Sequence, residues 1–407
     1  MTTEDQSIEV LTPGRLTYWC ERIDLPDGAT SALQMIAAQV RNDIMLKSAF
    51  AAFHERSVLR GEWHREWTPL PIDPAVEARC GDNTSLFYLL AYLSALPYTW
   101  ERYQSLGLGM DLFQKTLYDI GIHTQDYYDH NGRWGFGNFP WIWRHLAGEL
   151  FRLGRLQYML VPFGGGVRAF RYKGKSGGRG SLPSLLLLAD PETPLRRDGY
   201  AWGAGRPRDS AVAAETSETW RPDFEESAIG WRGHPVSPEG WVYRSSVWLA
   251  ASDWELALKP GDTVLDLHIP RDGPFATADC AASHALAEEF FARVVPERPA
   301  RALFCHTWMF SPQLSRMLPD SSNIVRFQQE FYLYPAPGTV AFLWNFVFGA
   351  KHLDPLSAPR DTTLRRAVLD HLARDEEIFD LPGLLFHSSQ EWGRERPAGL
   401  AAICGPS

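Results

Sequence analysis

Thr263-Val-Leu-Asp-Leu-His-Ile-Pro-Arg-Asp-Gly-Pro-Phe-Ala-Thr277 is the stretch whose reading decides the fold. Residues 263–269 are β-branched and aliphatic and follow the turn pair Gly261-Asp262, which predicts a strand. Arg271-Asp-Gly-Pro274 cannot prolong it, because Pro270 and Pro274 bring no ladder donor and Gly273 suits a tight turn. Thr277 is then placed to cap a helix running to about Val294, with Leu286, Phe290 and Val294 spaced along one face. A second strand is expected over 302–309. Strand, tight turn, helix and strand make a βαβ unit, which implies a parallel pair with the helix packed on the sheet. The turn is its functional point, since unpaired N–H groups and the positive end of the helix dipole gather there.

Outward from this unit, 407 residues are more than one hydrophobic core usually holds, so two domains are expected. Residues 30–59, 85–96, 109–121 and 141–153 carry helical periodicity, and the period changes near Gly154. The division predicted is 1–150, mostly α, and 151–407, mixed. In the second part, 156–163 and 167–172 read as strands paired across Gly164-Gly-Gly166. Residues 173–229 read as a long excursion, either mobile or a flap over a substrate, with one apolar island at 185–188. Further on, a strand is predicted over 242–250, a helical turn over 254–258 and a short helix over 313–318. Strands follow at 324–334 and 339–348, a helix capped by Asp361 runs to about 373, and a last strand is expected at 384–386. The fold class is α+β.

Composition excludes several function classes. A net charge of −9 argues against a nucleic-acid partner. Five scattered cysteines form neither a disulfide framework nor a metal cluster, so a reducing cytoplasm and no metal are expected. The acidic start Met1-Thr-Thr-Glu-Asp-Gln6 is unlike a signal peptide, and no apolar run approaches the ~20 residues that span a bilayer. Gly174-Lys-Ser-Gly-Gly178 resembles a nucleophile elbow and a phosphate loop on paper. More Gly, Arg and Pro follow it where a helix is required, and Ala169 stands where the first loop glycine belongs.

His268 is the candidate base. At period 2 it shares a face with Asp266 and Val264, near the carboxyl end of the core strand. An imidazole titrates in the working range, which suits it to accept a proton as a general base. A hydrogen-bonded structural histidine is the competing reading. On the next strand His306 and Trp308 share a face opposite Cys305, which reads as a small buried hydrophobe. Ser311 with Pro312 behind it reads as a helix cap. Arg152 and Arg155 read as a solvated helix end, with phosphate binding as the alternative.

Residues 261–270, Phe290-Phe291, Cys305-His-Thr-Trp308, Ser322-Asn-Ile324 and Phe327-Gln328 resemble the C-terminal domain of the bacterial GNAT-like acyltransferases. Leu150-Phe-Arg-Leu-Gly-Arg-Leu-Gln157 resembles their domain junction. The resemblance covers roughly 85–160 and 230–385. It implies a helical N-terminal domain followed by a GNAT-like domain with a mixed, splayed central sheet. It also implies N-acyl transfer from an acyl thioester to a primary amine of a small molecule or peptide. Acyl-coenzyme A, acetyl or longer, would be co-substrate, with no prosthetic group, no nucleic acid and no membrane involved. By the same resemblance Arg271, Gly273, Pro274, Phe275 and Thr277 would wrap the coenzyme A pyrophosphate. His268 and His306 would line the gap between splayed strands, and Ser311 would protonate the leaving thiolate. The turn departs from the family's glycine-rich pattern, offering only Gly273 and adding Asp272 and Asp279. That departure keeps two alternatives in play: an acyl carrier protein donor in natural-product biosynthesis, and a decayed GNAT-shaped binding module.

Overall fold

The computed structural model describes residues 11–65, 68–174, 184–202, 219–273, 275–338, 340–349, 354–374 and 376–393. The chain divides into two compact units. Unit 1 comprises Met1–Met159 and Ile269–Pro274, and unit 2 comprises Leu160–His268 and Phe275–Ser407.

Unit 1 is built from helices. They are α1 (Pro13–Arg22), α2 (Asp27–Asn42), α3 (Ile44–Phe53), α4 (Pro74–Cys80), α5 (Thr84–Leu93), α6 (Leu96–Ser105), α7 (Met110–Asn131) and α8 (Phe139–Leu146). Every residue of α5 from Leu86 to Leu93 is buried, so this helix is apolar all round and lies at the centre of the bundle. Aromatic rings from its neighbours close on it, with Phe53 against Tyr88 and Tyr92, and Phe139 stacked on Tyr92. Caps fix where helices begin: the Asp43 carboxylate accepts from the backbone N–H of Met45 and Leu46 at the start of α3. After α8 the chain enters β1 (Leu150–Leu153) and β2 (Leu156–Pro162), an antiparallel hairpin in register from Leu150–Met159 to Leu153–Leu156. Its two-residue turn is Gly154-Arg155. Gly154 takes φ 72°, a value that favours glycine, and Arg155 stands at the tip.

In unit 2 the end of β2 runs into a sheet of order β2-β9-β10-β12-β11, where β9 is Thr263–His268, β10 Leu303–Thr307, β11 Tyr332–Leu333 and β12 Leu381–Leu385. β9 and β10 are parallel, and α9 (Thr277–Val294) connects them, so the βαβ unit forms as expected. β12 runs antiparallel to both β10 and β11, which makes the sheet mixed. A second sheet has the order β4-β3-β8, from β3 (Val167–Tyr172), β4 (Leu185–Ala189) and β8 (Trp254–Leu258). A third has the order β5-β6-β7, from β5 (Phe224–Ser227), β6 (Gly230–Gly233) and β7 (Val247–Ala250). Val264, Tyr332 and Leu384 of the large sheet share one core with Val167, Leu187 and Leu258 of the second.

Several local readings are corrected. Residues 323–330 form a helix, α10 (Asn323–Glu330), and only Tyr332–Leu333 joins the sheet. The β-branched Ile324-Val325 pair suggested a strand, yet Val325, Phe327 and Gln328 bury one helical face. Likewise the described part of 339–348 is not a strand: Ala341–Leu343 and Trp344–Phe348 are helical turns that bury Leu343 and Val347, four residues apart. Residues 254–258 are strand β8 and not a helical turn. The apolar island at 185–188 belongs to β4, so part of the supposed excursion is core, while 175–183 and 203–218 lie outside the described residues. In α9, Leu286 is 49% exposed, and the buried face is Cys280, Ser283, His284, Ala287, Phe290 and Phe291. The residue before the helix is Ala276, which offers no side-chain cap, so Thr277 is its first residue and not its cap. Thr362, and not Asp361, caps α11 (Thr363–Leu372).

Candidate active site

In unit 2 the alternation of β9 turns Val264 into the core and carries Asp266 and His268 on the same face, with Leu265 and Leu267 buried opposite. Nε2 of His268 lies 3.0 Å from Oδ2 of Asp266, and the side chains are 29% and 16% exposed. A carboxylate at that distance accepts the Nε2 proton and fixes the tautomer, which makes Nδ1 the basic nitrogen. Deeper in, burial pushes the Cys305 thiol well up, and the charge of Asp266 adds to the effect. Burial, helped by the same charge, also raises the Tyr334 phenol. Both groups stay neutral, and Cys305 is a packed thiol.

The ladder between β9 and β10 pairs Leu265 with Leu303 and Asp266 with Phe304. The strands themselves run on to His268 and Thr307. Beyond that pairing, His268 and His306 each stand two residues past a matched pair, on the matched face. His306 has its own carboxylate, with Nε2 3.6 Å from Oδ2 of the buried Asp380. Ser311 sits elsewhere in character. It is 1% exposed, its hydroxyl donates to Oε1 of Gln313 at 2.7 Å, and its carbonyl accepts from Nε2 of Gln328 at 2.7 Å. It lines a seam with Trp308, Leu343 and Asp380 that has no room for a water molecule. Gln313 precedes the helical turn Leu314–Met317, so Ser311 is not its cap. Phe275 packs edge-on against Phe327 at 4.8 Å between ring centres. Oγ1 of Thr277 is buried with no hydrogen-bond partner among the described residues.

In unit 1 the turn after β9 is held by three side chains, one from α7 and two from the β1–β2 hairpin. Nη1 of Arg271 donates to Oδ2 of Asp126 at 2.8 Å. Asp272 is paired with Arg152, one of whose bonds is 3.1 Å, and lies 3.8 Å from Nη1 of Arg155. Nη2 of Arg155 donates to the carbonyls of Pro270 at 2.8 Å and Gly273 at 3.0 Å. The two arginines therefore belong to a hairpin that grips the turn and not to a solvated helix end. Gly273 has no positive φ, and a Cβ built on it would meet nothing within 4 Å, so the turn does not require glycine there. Pro274 lies outside the described residues.

A buried polar cluster also belongs to unit 1. Asp119 on α7 is 4% exposed and accepts from Nε1 of Trp141 at 2.6 Å. Nε2 of His145 approaches it at 3.2 Å and Nε2 of His123 at 3.6 Å. Burial alone would raise this carboxyl, but the contact with His145 and the charges of both imidazoles outweigh it and hold the group well below the usual carboxylate range. His123 is pushed down by burial, with Asp119 opposing. The i,i+4 spacing of Asp119 and His123 was visible in the sequence. Their meeting with Trp141 and His145 needed the packing of α8 on α7.

The family description "GNAT-like C-terminal domain" matches residues 150–385, and "N-acyltransferase N-terminal domain" matches 15–148. Among solved structures, an acyltransferase in complex with decanoyl-CoA and teicoplanin is 19% identical, with TM-score 0.60 over 91% of this chain and 87% of that one. An acyltransferase with decanoyl-CoA is 18% identical, with TM-score 0.60 over 92% and 88%. A mutant acyltransferase with octanoyl-CoA is 19% identical, with TM-score 0.59 over 90% and 86%. No curated protein matches the chain.

Proposed function

The chain belongs to the GNAT-like acyltransferase family, and on that premise we propose that it moves an acyl group from acyl-coenzyme A to a primary amine by direct attack. The observation that carries this reading is the Asp266–His268 pair at the end of β9, where pairing with β10 has stopped. The amine approaches the thioester carbonyl, and Nδ1 of His268 takes a proton from its nitrogen. The new C–N bond forms as the C–S bond breaks, and coenzyme A leaves as a thiolate. A thiol of pKa about 8.5 is a good leaving group and needs no strong acid, so the burial of Ser311 is no obstacle. Asp266 steadies the imidazolium formed during the step. The turn after β9 takes the donor pyrophosphate through its backbone N–H groups.

Medium-chain acyl-coenzyme A fits the reading, because the solved neighbours were captured with octanoyl and decanoyl donors. An amine-bearing peptide as acceptor is supported in the same way by the teicoplanin complex. The test is a thermal-shift series from acetyl- to decanoyl-coenzyme A, followed by mass detection of N-acyl products from a panel of amines. A donor that binds the native state raises the melting temperature, and one chain length is expected to raise it most. No shift at millimolar concentration of any donor would overturn the reading and favour a carrier-protein donor or a binding module.

A further inference from the structure

We infer that Arg155, at the tip of the β1–β2 hairpin, is a positioning residue for donor binding. It imposes on the turn after β9 the backbone orientation that presents an N–H to the donor phosphates. The inference rests on the proposed donor site and deepens it. One guanidinium nitrogen of Arg155 holds two carbonyls of the same turn, those of Pro270 and Gly273, at 2.8 and 3.0 Å. The described peptides of this turn are trans, and in a trans peptide the N–H points away from the C=O. With the Pro270 carbonyl drawn to Arg155, the Arg271 N–H that shares its peptide plane must face the opposite side. The carbonyl oxygens, which would repel a phosphate, are thereby turned towards the arginine.

Charge is arranged in the same sense. Asp272 would be a poor neighbour for a pyrophosphate, but its side chain is 13% exposed and lies between Arg152 and Arg155. Arg271 is the exception: its guanidinium is paired with Asp126 on α7, so the turn is left to meet the phosphates through its backbone N–H. A surface turn needs no such clasp to fold, and Gly273 adopts no conformation that only glycine reaches. The shape of this turn is therefore imposed by side chains from the hairpin and from α7.

The test compares kcat/KM for an acyl-coenzyme A with that for the matching acyl-pantetheine, which lacks the pyrophosphate. The wild-type protein is expected to prefer acyl-coenzyme A. In Arg155→Met that preference should collapse at least roughly tenfold, the scale of losing hydrogen bonds from a charged donor. Arg155→Lys keeps the charge but not the planar fork, and should lose most of the preference too. It also serves if Arg155→Met does not fold, as judged by circular dichroism. Two results would overturn the inference in distinguishable ways. A wild-type protein indifferent to the pyrophosphate removes the donor site on which it rests. A wild-type preference retained in full by folded Arg155→Met or Arg155→Lys leaves the donor site standing and removes the arginine from it.

Discussion

His268 and Asp266 make the sharpest claim at the scale of single residues. Replacing His268 by Ala should lower turnover about 10²–10⁴-fold with little change in donor affinity, measured by steady-state kinetics and equilibrium binding. Because a protonated imidazole cannot accept a proton, wild-type activity should fall towards acid, and the variant should lose that limb. Asp266→Asn keeps the shape and removes the charge that steadies the imidazolium. A smaller fall in kcat is expected there. An Asp266→Asn profile identical to wild type would make the pair structural. Asp119 should act on stability instead: Asp119→Ala strands two imidazoles and an indole, and should cost about 3–5 kcal/mol by urea denaturation. Sequence alternation placed His268 and Asp266 on one face. It said nothing of Asp380 beside His306, because they meet only when β12 lies against β10.

At the scale of elements, α9 offers a direct check of its face. Ala287→Asp puts an unpaired charge at a site with no exposure and should cost about 3 kcal/mol or more. Leu286→Asp, one residue away and half exposed, should change the denaturation midpoint little. The reverse ranking would restore the face predicted from spacing. The βαβ unit was legible because aliphatic run, turn and helical period agree with one another there. Residues 323–330 and 341–348 were not, since short apolar runs satisfy either period and tertiary packing decided them. β4 illustrates the same limit: an apolar island among glycines and arginines reads as a loop, yet it is paired along β3.

For the whole molecule, titration of buried histidines sets the acid response. Burial pushes His54, His123 and His284 below the ordinary imidazole value. As pH falls through about 6.5 the unfolded chain takes up those protons first, so stability should decrease until the folded imidazoles also titrate. Asp119 has the depressed value of a paired acid. Its contribution is present above about pH 4 and is lost only as pH drops towards its folded value. The melting temperature should therefore decline from pH 7 to 5, and a flat profile would contradict the burial of the three imidazoles. The allocation of Ile269–Pro274 bears on how such proteins can be recombined. These six residues are encoded within the second half of the chain but are counted with the first unit, where Asp126, Arg152 and Arg155 hold residues 270–273. A chimera spliced near residue 160 would inherit the loop from one parent and its grip from the other. Exchange of halves between relatives should thus succeed only when that hexapeptide travels with the amino-terminal donor, a constraint on modular inheritance that a cut at the hairpin alone would conceal.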